Sequence, residues 1–272
     1  IIQNIENEQY NETTKFKLNI SNDKDNDTEK DKDKDKIFHK DLNKIIEDSG
    51  YNLITFKIMF LVFFYCFIEG FILNNFGIIS TAFKNYYKIS NGLLGFISSS
   101  VFIGMAISSF TTGFLIKILN RRQIILICSI GILICNLFVS LIDNIVIFTI
   151  FRFIGSMFLG FYFVYIFNIF GEYMPVKFRG FFINFIWIGW NFGIIYFLLF
   201  CKVYIPELSY DPLDKKINQN FHAPLSGILY IQIINLILVY FFLKDSPRNL
   251  LIENEKEEAG EILEYYVGRK LS

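Results

Sequence analysis

The chain has 272 residues, is 53% hydrophobic and 18% aromatic with 33 phenylalanines, and balances 26 Lys and Arg against 26 Asp and Glu. So much apolar content excludes an ordinary water-soluble domain, and a formal charge of zero argues against a nucleic-acid partner, whose phosphates select a basic footprint. Cys66, Cys128, Cys135 and Cys201 all lie in or at the ends of apolar stretches, without zinc-ligand or CxxC spacing, and His39 and His222 stand far apart in polar segments, so no metal, redox or cofactor site is expected.

The chain begins with Ile1 and ends within a charged helical pattern, which reads as a piece of a longer protein. Residues 1–36 are polar and low in complexity, with an Asp-Lys repeat over 31–36. They hold too little apolar surface to offset the entropy of ordering, and a disordered tail is expected there. Over 37–55 the pattern changes. Leu42, Ile45 and Ile46 fall at helical spacing, and Gly50 suits a helix C-terminus. A short amphipathic helix on the membrane surface, leading into the first span, is the expectation.

Six apolar stretches follow within 56–243, at about 56–80, 93–116, 124–142, 145–170, 181–201 and 225–243. Each approaches the ~20 residues that a helix needs to cross the hydrocarbon core. None alternates with a two-residue period, and of the structures that can span lipid this selects helices over a barrel. The fold expected is all-α: a polytopic membrane bundle of six transmembrane helices, with both termini on one side. Residues 244–272 then begin a linker helix.

The connections orient it. Arg121 and Arg122 lie between spans two and three, Lys177 and Arg179 between four and five, and Lys244 and Arg248 after span six. The opposite connections carry Lys84 and Lys88, then Lys215 and Lys216, and no arginine. The arginine bias places the first set, and both termini, in the cytoplasm.

Glu69 falls inside the first stretch, with Tyr65 one turn before it. Low dielectric and a nearby cation pull on a carboxylate's proton in opposite directions, a tension that suits proton binding and release. The plainer alternative is a neutral, hydrogen-bonded acid kept for packing. In span two, Ser100, Gly104, Ser108 and Thr112 recur every four residues, a small-residue ridge that lets helices approach closely in lipid. Lining a polar pathway is the other use of such a ridge.

Span four carries Arg152, with Ser156 one turn on, then Tyr162, Tyr165 and Asn168. A guanidinium cannot shed its charge. It therefore needs an anion, a wet cavity, or room to snorkel to the interface. In span five, Asn184, Trp187 and Asn191 share a face beside Trp190, a set that fits either a solute cavity or interhelical hydrogen bonding. There is no GxSxG elbow, HExxH pair or Walker A run, so neither enzymatic chemistry nor ATP-driven transport within this piece is expected.

Three segments resemble signatures of the major facilitator superfamily. Gly171-Glu172-Tyr173-Met174-Pro175-Val176-Lys177-Phe178-Arg179-Gly180 is similar to the run E-x-x-P-x-x-x-R-G, with Arg152 twenty residues before Glu172 and Gly160 eight after Arg152. Asp245-Ser246-Pro247-Arg248 with Leu250-Leu251 resembles E-S-P-R-W-L-L at the start of the central linker. Between spans two and three the pattern G-x-x-x-D-x-x-G-R-R/K is met at Gly113, Arg121 and Arg122, but Lys117 replaces the acid and Asn120 the second glycine. Around Glu69 and Ser99–Met105 the chain resembles the branch of synaptic-vesicle-2-related and organic-ion transporters, although a second acid common three residues after the first is Ile72 here. The glutamine used by hexose carriers in span five aligns with Trp187, a departure from the sugar-porter pattern.

What the resemblance implies is an N-terminal six-helix half made of two inverted three-helix repeats, in which spans one and four line the cavity. The implied function is secondary active transport of a small polar or charged organic solute by alternating access, coupled to protons. Glu69 and Arg152 would act as a buried proton-coupling pair. Tyr65, Tyr162, Tyr165, Asn184, Trp187 and Asn191 would contact solute. Arg121, Arg122, Glu172, Arg179 and Arg248 would form a cytoplasmic gate network. Implied partners are membrane lipid, the solute, the proton, and a C-terminal six-helix half or a second copy. A hexose-like sugar carrier is the alternative within the superfamily. A non-transporting six-span protein or truncated remnant acting by binding is the alternative outside it.

Overall fold

The computed structural model describes residues 53–174, 179–204 and 222–243. The expected tail, the surface helix leading into span one, the linker and Arg248 lie outside the described residues. Within them the secondary structure is helical: α1 Leu53–Tyr87, α2 Asn91–Leu115, α3 Arg121–Leu141, α4 Ile145–Tyr173, α5 Arg179–Tyr204, α6 His222–Ser226 and α7 Ile228–Phe242. Six segments are long and apolar enough to cross a membrane, with α6 and α7 together making the sixth.

Local chemistry sets the ends. α1 runs seven residues past Ser80, where its apolar stretch was expected to stop, because Phe83 stays buried against Phe148 of α4 with ring centroids 4.9 Å apart. It ends before Lys88, whose φ of 50° is left-handed. Ser90 Oγ accepts from the Leu93 amide at the start of α2. Asn120, the residue in place of a glycine, is the N-cap of α3, and its amide donates to Gln123 Oε1. Asn144 Oδ1 accepts from the Val146 and Ile147 amides and opens α4. The sixth span breaks at Gly227, whose amide donates to the Pro224 carbonyl three residues back; the Gly227 carbonyl accepts from Tyr196 Oη, and a Cβ on Gly227 would strike the Phe200 ring.

The larger compact unit, 59–168 with 182–243, is organised by two close crossings. In the first, α5 meets α1. A Cβ on Gly189 would lie 2.7 Å from the Phe63 carbonyl oxygen, one on Gly193 would overlap the Phe67 carbonyl, and one on Gly70 the Trp190 carbonyl. In the second, α2 meets α4. A Cβ on Gly104 would lie 2.8 Å from the Phe153 carbonyl oxygen and on top of Ser156 Oγ, while one on Gly160 would overlap Ser108 Oγ. Ser100, Gly104 and Ser108 are buried in this second crossing, so the ridge in span two packs helices together.

Exchanging the first helix with the fourth and the second with the fifth turns one crossing into the other. α3 packs along α6 and α7, and that pairing maps onto itself when the third span is exchanged with the sixth. The bundle thus has the internal repeat of two three-helix units. The smaller unit contributes described residues 53–58 and 169–181 (175–178 excepted), in which Ile169, Phe170, Tyr173 and Met174 are buried.

Because no side chain fits where these backbones meet, Gly193→Leu is expected to cost about 1–3 kcal/mol through overpacking. Gly77→Ala, where a Cβ meets open space, is expected to be neutral or to stabilise by up to about 1 kcal/mol through helix propensity. Thermal unfolding of the detergent-solubilised protein checks the contrast.

Candidate functional site

The two intramembrane charges are both inside the larger unit. Glu69 on α1 is 2% exposed and its Oε2 has no hydrogen-bond partner among the described residues. Arg152 on α4 is 6% exposed. Its Nη1 donates to Asn75 Oδ1 at 2.9 Å, and its guanidinium carbon lies 4.8 Å from the centroid of Phe76. No ion pair joins Arg152 to Glu69. The reason is register: Asn75 is six residues beyond Glu69, so the two α1 positions differ by about 9 Å along the helix, and α4 presents Arg152 at the Asn75 level. The expected pair is therefore not formed in this structure, and each charge has its own surroundings.

One turn before Glu69 on α1, Tyr65 joins a layer of aromatic hydroxyls. Tyr65 packs its ring 4.4 Å from that of Tyr162 and donates to the Leu159 carbonyl at 3.0 Å. Tyr162 donates to Asn235 Oδ1 on α7 at 2.8 Å. Tyr165 lies one turn further along α4 and donates to the Thr112 carbonyl at 2.7 Å. Tyr65 and Tyr162 thus meet, as candidates from different spans, whereas Tyr165 belongs to the contact with α2.

Asn184, Trp187 and Asn191 do not join that layer. α5 turns its glycines toward α1, with Phe182, Ile186, Gly189, Gly193 and Phe197 buried. The opposite face is exposed, Trp187 to 40%. Asn191 Nδ2 donates to the Trp187 carbonyl of its own helix. Trp187 stacks on Phe167 of α4 at 6.4 Å and leans on Trp190 at 5.5 Å. Continuing through Phe163, Tyr65 and Tyr162, these rings form one aromatic path across α5, α4 and α1.

Of the arginines expected at a gate, two cap helix ends. Arg122 Nη2 donates to the Tyr240 carbonyl in the last turn of α7 at 3.3 Å. Arg179 Nη2 donates to the Gly171 and Met174 carbonyls where α4 ends. Cations favour this position because the terminal carbonyls carry partial negative charge. Arg121 and Glu172 are half-buried.

Three buried amides were missed by sequence reasoning: Asn75, Gln232 and Asn235. Among the described residues, neither Gln232 amide atom is hydrogen-bonded and Asn235 Nδ2 has no partner. The signal was available. Each is a side-chain amide inside a stretch too apolar to carry one without reason, the test applied to Asn184 and Asn191.

Known proteins resemble the chain along most of its length. The sequence pattern of the family described as sugar (and other) transporter matches residues 13–271. A benzoate transport protein of Acinetobacter baylyi (strain ATCC 33305 / BD413 / ADP1) is 23% identical over 158 residues, covering 56% of this chain and 34% of the relative. The proton:xylose symporter XylE, solved with 6-bromo-6-deoxy-D-glucose, superposes with a TM-score of 0.68 at 19% identity, over 80% of this chain and 51% of that one. A partially occluded, inward-open structure of the xylose transporter XylE from E. coli gives 0.66 at 20% identity, over 80% and 56%. The chain thus spans about half the length of these solved structures and a third of the curated relative, and its fold is that of half a major facilitator superfamily transporter.

The Tyr162–Asn235 hydrogen bond is expected to hold α4 to α7. Tyr162→Phe leaves a buried amide oxygen without its donor and is expected to destabilise by about 1–3 kcal/mol. Adding Asn235→Leu should recover part of that loss, and a double-mutant cycle on unfolding free energies reads the coupling.

Proposed function

The chain belongs to the sugar (and other) transporter family, and on that premise we propose that it works as a secondary active transporter, moving a small polar or charged organic solute by alternating access with a proton as the coupling ion. The observation that carries the proton assignment is Glu69: an acid in the middle of a membrane span, 2% exposed, with Oε2 unpartnered among the described residues. An acid held that way gains or loses a proton at a large difference in burial cost, so its state responds to whichever side of the membrane it faces. Being a symporter's relative supports the reading, since XylE is described as a proton:xylose symporter.

The solute would meet Tyr65 and Tyr162 beside Glu69. The exposed face of α5, with Asn184, Trp187 and Asn191, would close against a C-terminal six-helix half or a second copy, consistent with a chain that spans half the length of its solved relatives. Lipid covers the remaining apolar surface. The arginine bias puts both termini in the cytoplasm, where Arg121, Arg122, Glu172, Arg179 and Arg248 would stabilise one state of the cycle. A sugar is the second reading of the solute, favoured by the fold shared with a xylose carrier; the benzoate relative favours an organic ion.

Reconstitution of the full-length protein tests the coupling, with radiolabelled benzoate and xylose as probes. Accumulation of one probe is expected to rise as the external pH is lowered. Glu69→Gln is expected to abolish that dependence while solute counterflow persists. An unchanged pH dependence in the variant removes Glu69 from the coupling mechanism.

A further inference from the structure

Among the described residues, Arg152 has no counter-ion. Its guanidinium is buried in a membrane span and meets one neutral amide oxygen, Asn75 Oδ1, and one ring face, Phe76. Its Nε has no hydrogen-bond partner among the described residues. The turns beside Asn75 on α1 carry Ile72 and Ile79, and those beside Arg152 on α4 carry Phe148 and Ser156, all buried and all uncharged. Ser156 Oγ is turned back to its own helix, donating to the Phe153 carbonyl. The position on α1 where a second acid would face this level is Ile72.

Guanidinium keeps its charge under all biological conditions, so deprotonation offers no relief. A ring face and a single amide dipole answer only part of a full charge, and a buried cation left in that condition is strongly unfavourable. We propose that Arg152 is the anchor of an organic anion, its missing counter-charge being the carboxylate of a small organic acid that the carrier binds. This rests on the transport reading and narrows its solute to one class. Carboxylate is the fitting chemistry because the planar guanidinium fork presents paired donors matched to its two oxygens. Asn75 and Phe76 are then positioning residues: they hold the fork's orientation without neutralising it, so the site stays cationic until solute arrives. A polyol would leave the charge unanswered, and an organic cation would be repelled.

Substituting an internal anion for the proposed one tests this in full-length, detergent-solubilised protein, read by thermal unfolding. The probes are acetate, hexanoate and phenylacetate, each compared with its own amide. At least one carboxylate is expected to raise the melting temperature saturably, with no effect of its amide. Asn75→Asp, which sets a carboxylate beside Arg152, is expected to raise the melting temperature of the unliganded protein and to weaken the carboxylate response about tenfold or more. Arg152→Gln is expected to abolish the response. Indifference to all three carboxylates, equal effects of acid and amide, or a carboxylate response that survives Asn75→Asp would overturn the proposal. So would a fall in stability in Asn75→Asp, which would mean that Arg152 already holds a counter-anion elsewhere on the chain. Binding is measured here without transport, so its failure leaves the Glu69→Gln uptake result standing, and the reverse also holds.

Discussion

Hydrocarbon supplies no hydrogen bonds, so each polar group taken into a membrane must find its partner on the protein. Most of what is seen in this chain follows from that constraint. The backbone satisfies itself within helices. Serines and threonines along α2 and α4 donate to carbonyls of their own helix three or four residues back. The tyrosine hydroxyls donate across helices, to the Leu159 and Thr112 carbonyls and to Asn235. Against this background stand groups with no partner among the described residues, Glu69 Oε2, Arg152 Nε and the Gln232 amide atoms included.

Where polar groups are scarce, packing has to hold the helices together, since lipid is as apolar as the side chains it would replace. The two glycine crossings serve that purpose by letting backbones touch. They also divide the labour on each helix. The face of α5 that carries Gly189 and Gly193 is committed to α1, and Asn184, Trp187 and Asn191 are turned away from Glu69 by the same rotation. In α1 two surroundings coexist: Gly70 sits against α5 while Glu69, one residue earlier, lies one turn from Tyr65 on its own helix and is buried. A residue step of 100° separates the face packed on α5 from the face that carries Glu69.

Much of the fold was legible because length and apolarity alone decide what spans a bilayer. All six stretches are helices, and the small-residue ridge in span two was readable as a packing surface. Other features depended on quantities that a single chain does not display. Where α1 ends depended on Phe83 reaching Phe148, a contact between helices sixty-odd residues apart in sequence. The break at Gly227 depended on the Phe200 ring and the Tyr196 hydroxyl. The pairing of Glu69 with Arg152 was inferred from charge and matching helices, but the relative axial shift of α1 and α4 decides which level of one meets which level of the other. That shift hands Arg152 to Asn75. Sequence reasoning weighed acids heavily and amides lightly, and so passed over Asn75, Gln232 and Asn235.

The separation of the two charges has a consequence for coupling. Under the two assignments proposed above, an empty carrier would hold an ionised Glu69 and a cationic Arg152, which sum to no net charge although their different levels leave Arg152 without a local counter-ion. A fully loaded one holds a protonated Glu69 and an Arg152 answered by a carboxylate, again with none. Either half-loaded state leaves one unit of charge in the hydrocarbon: proton without anion leaves Arg152 alone, and anion without proton leaves Glu69 alone. Since an uncompensated charge inside a membrane protein is costly, rearrangements that seal the site from water would be favoured in the empty and the fully loaded states and opposed in the others. Coupling of anion to proton then needs no direct contact between Glu69 and Arg152. It follows from charge neutrality over the pair, and it moves no net charge across the membrane. A direct ion pair would weaken this mechanism, because each group would neutralise the other regardless of cargo; setting Arg152 against a neutral amide instead would keep both charges responsive to what is bound.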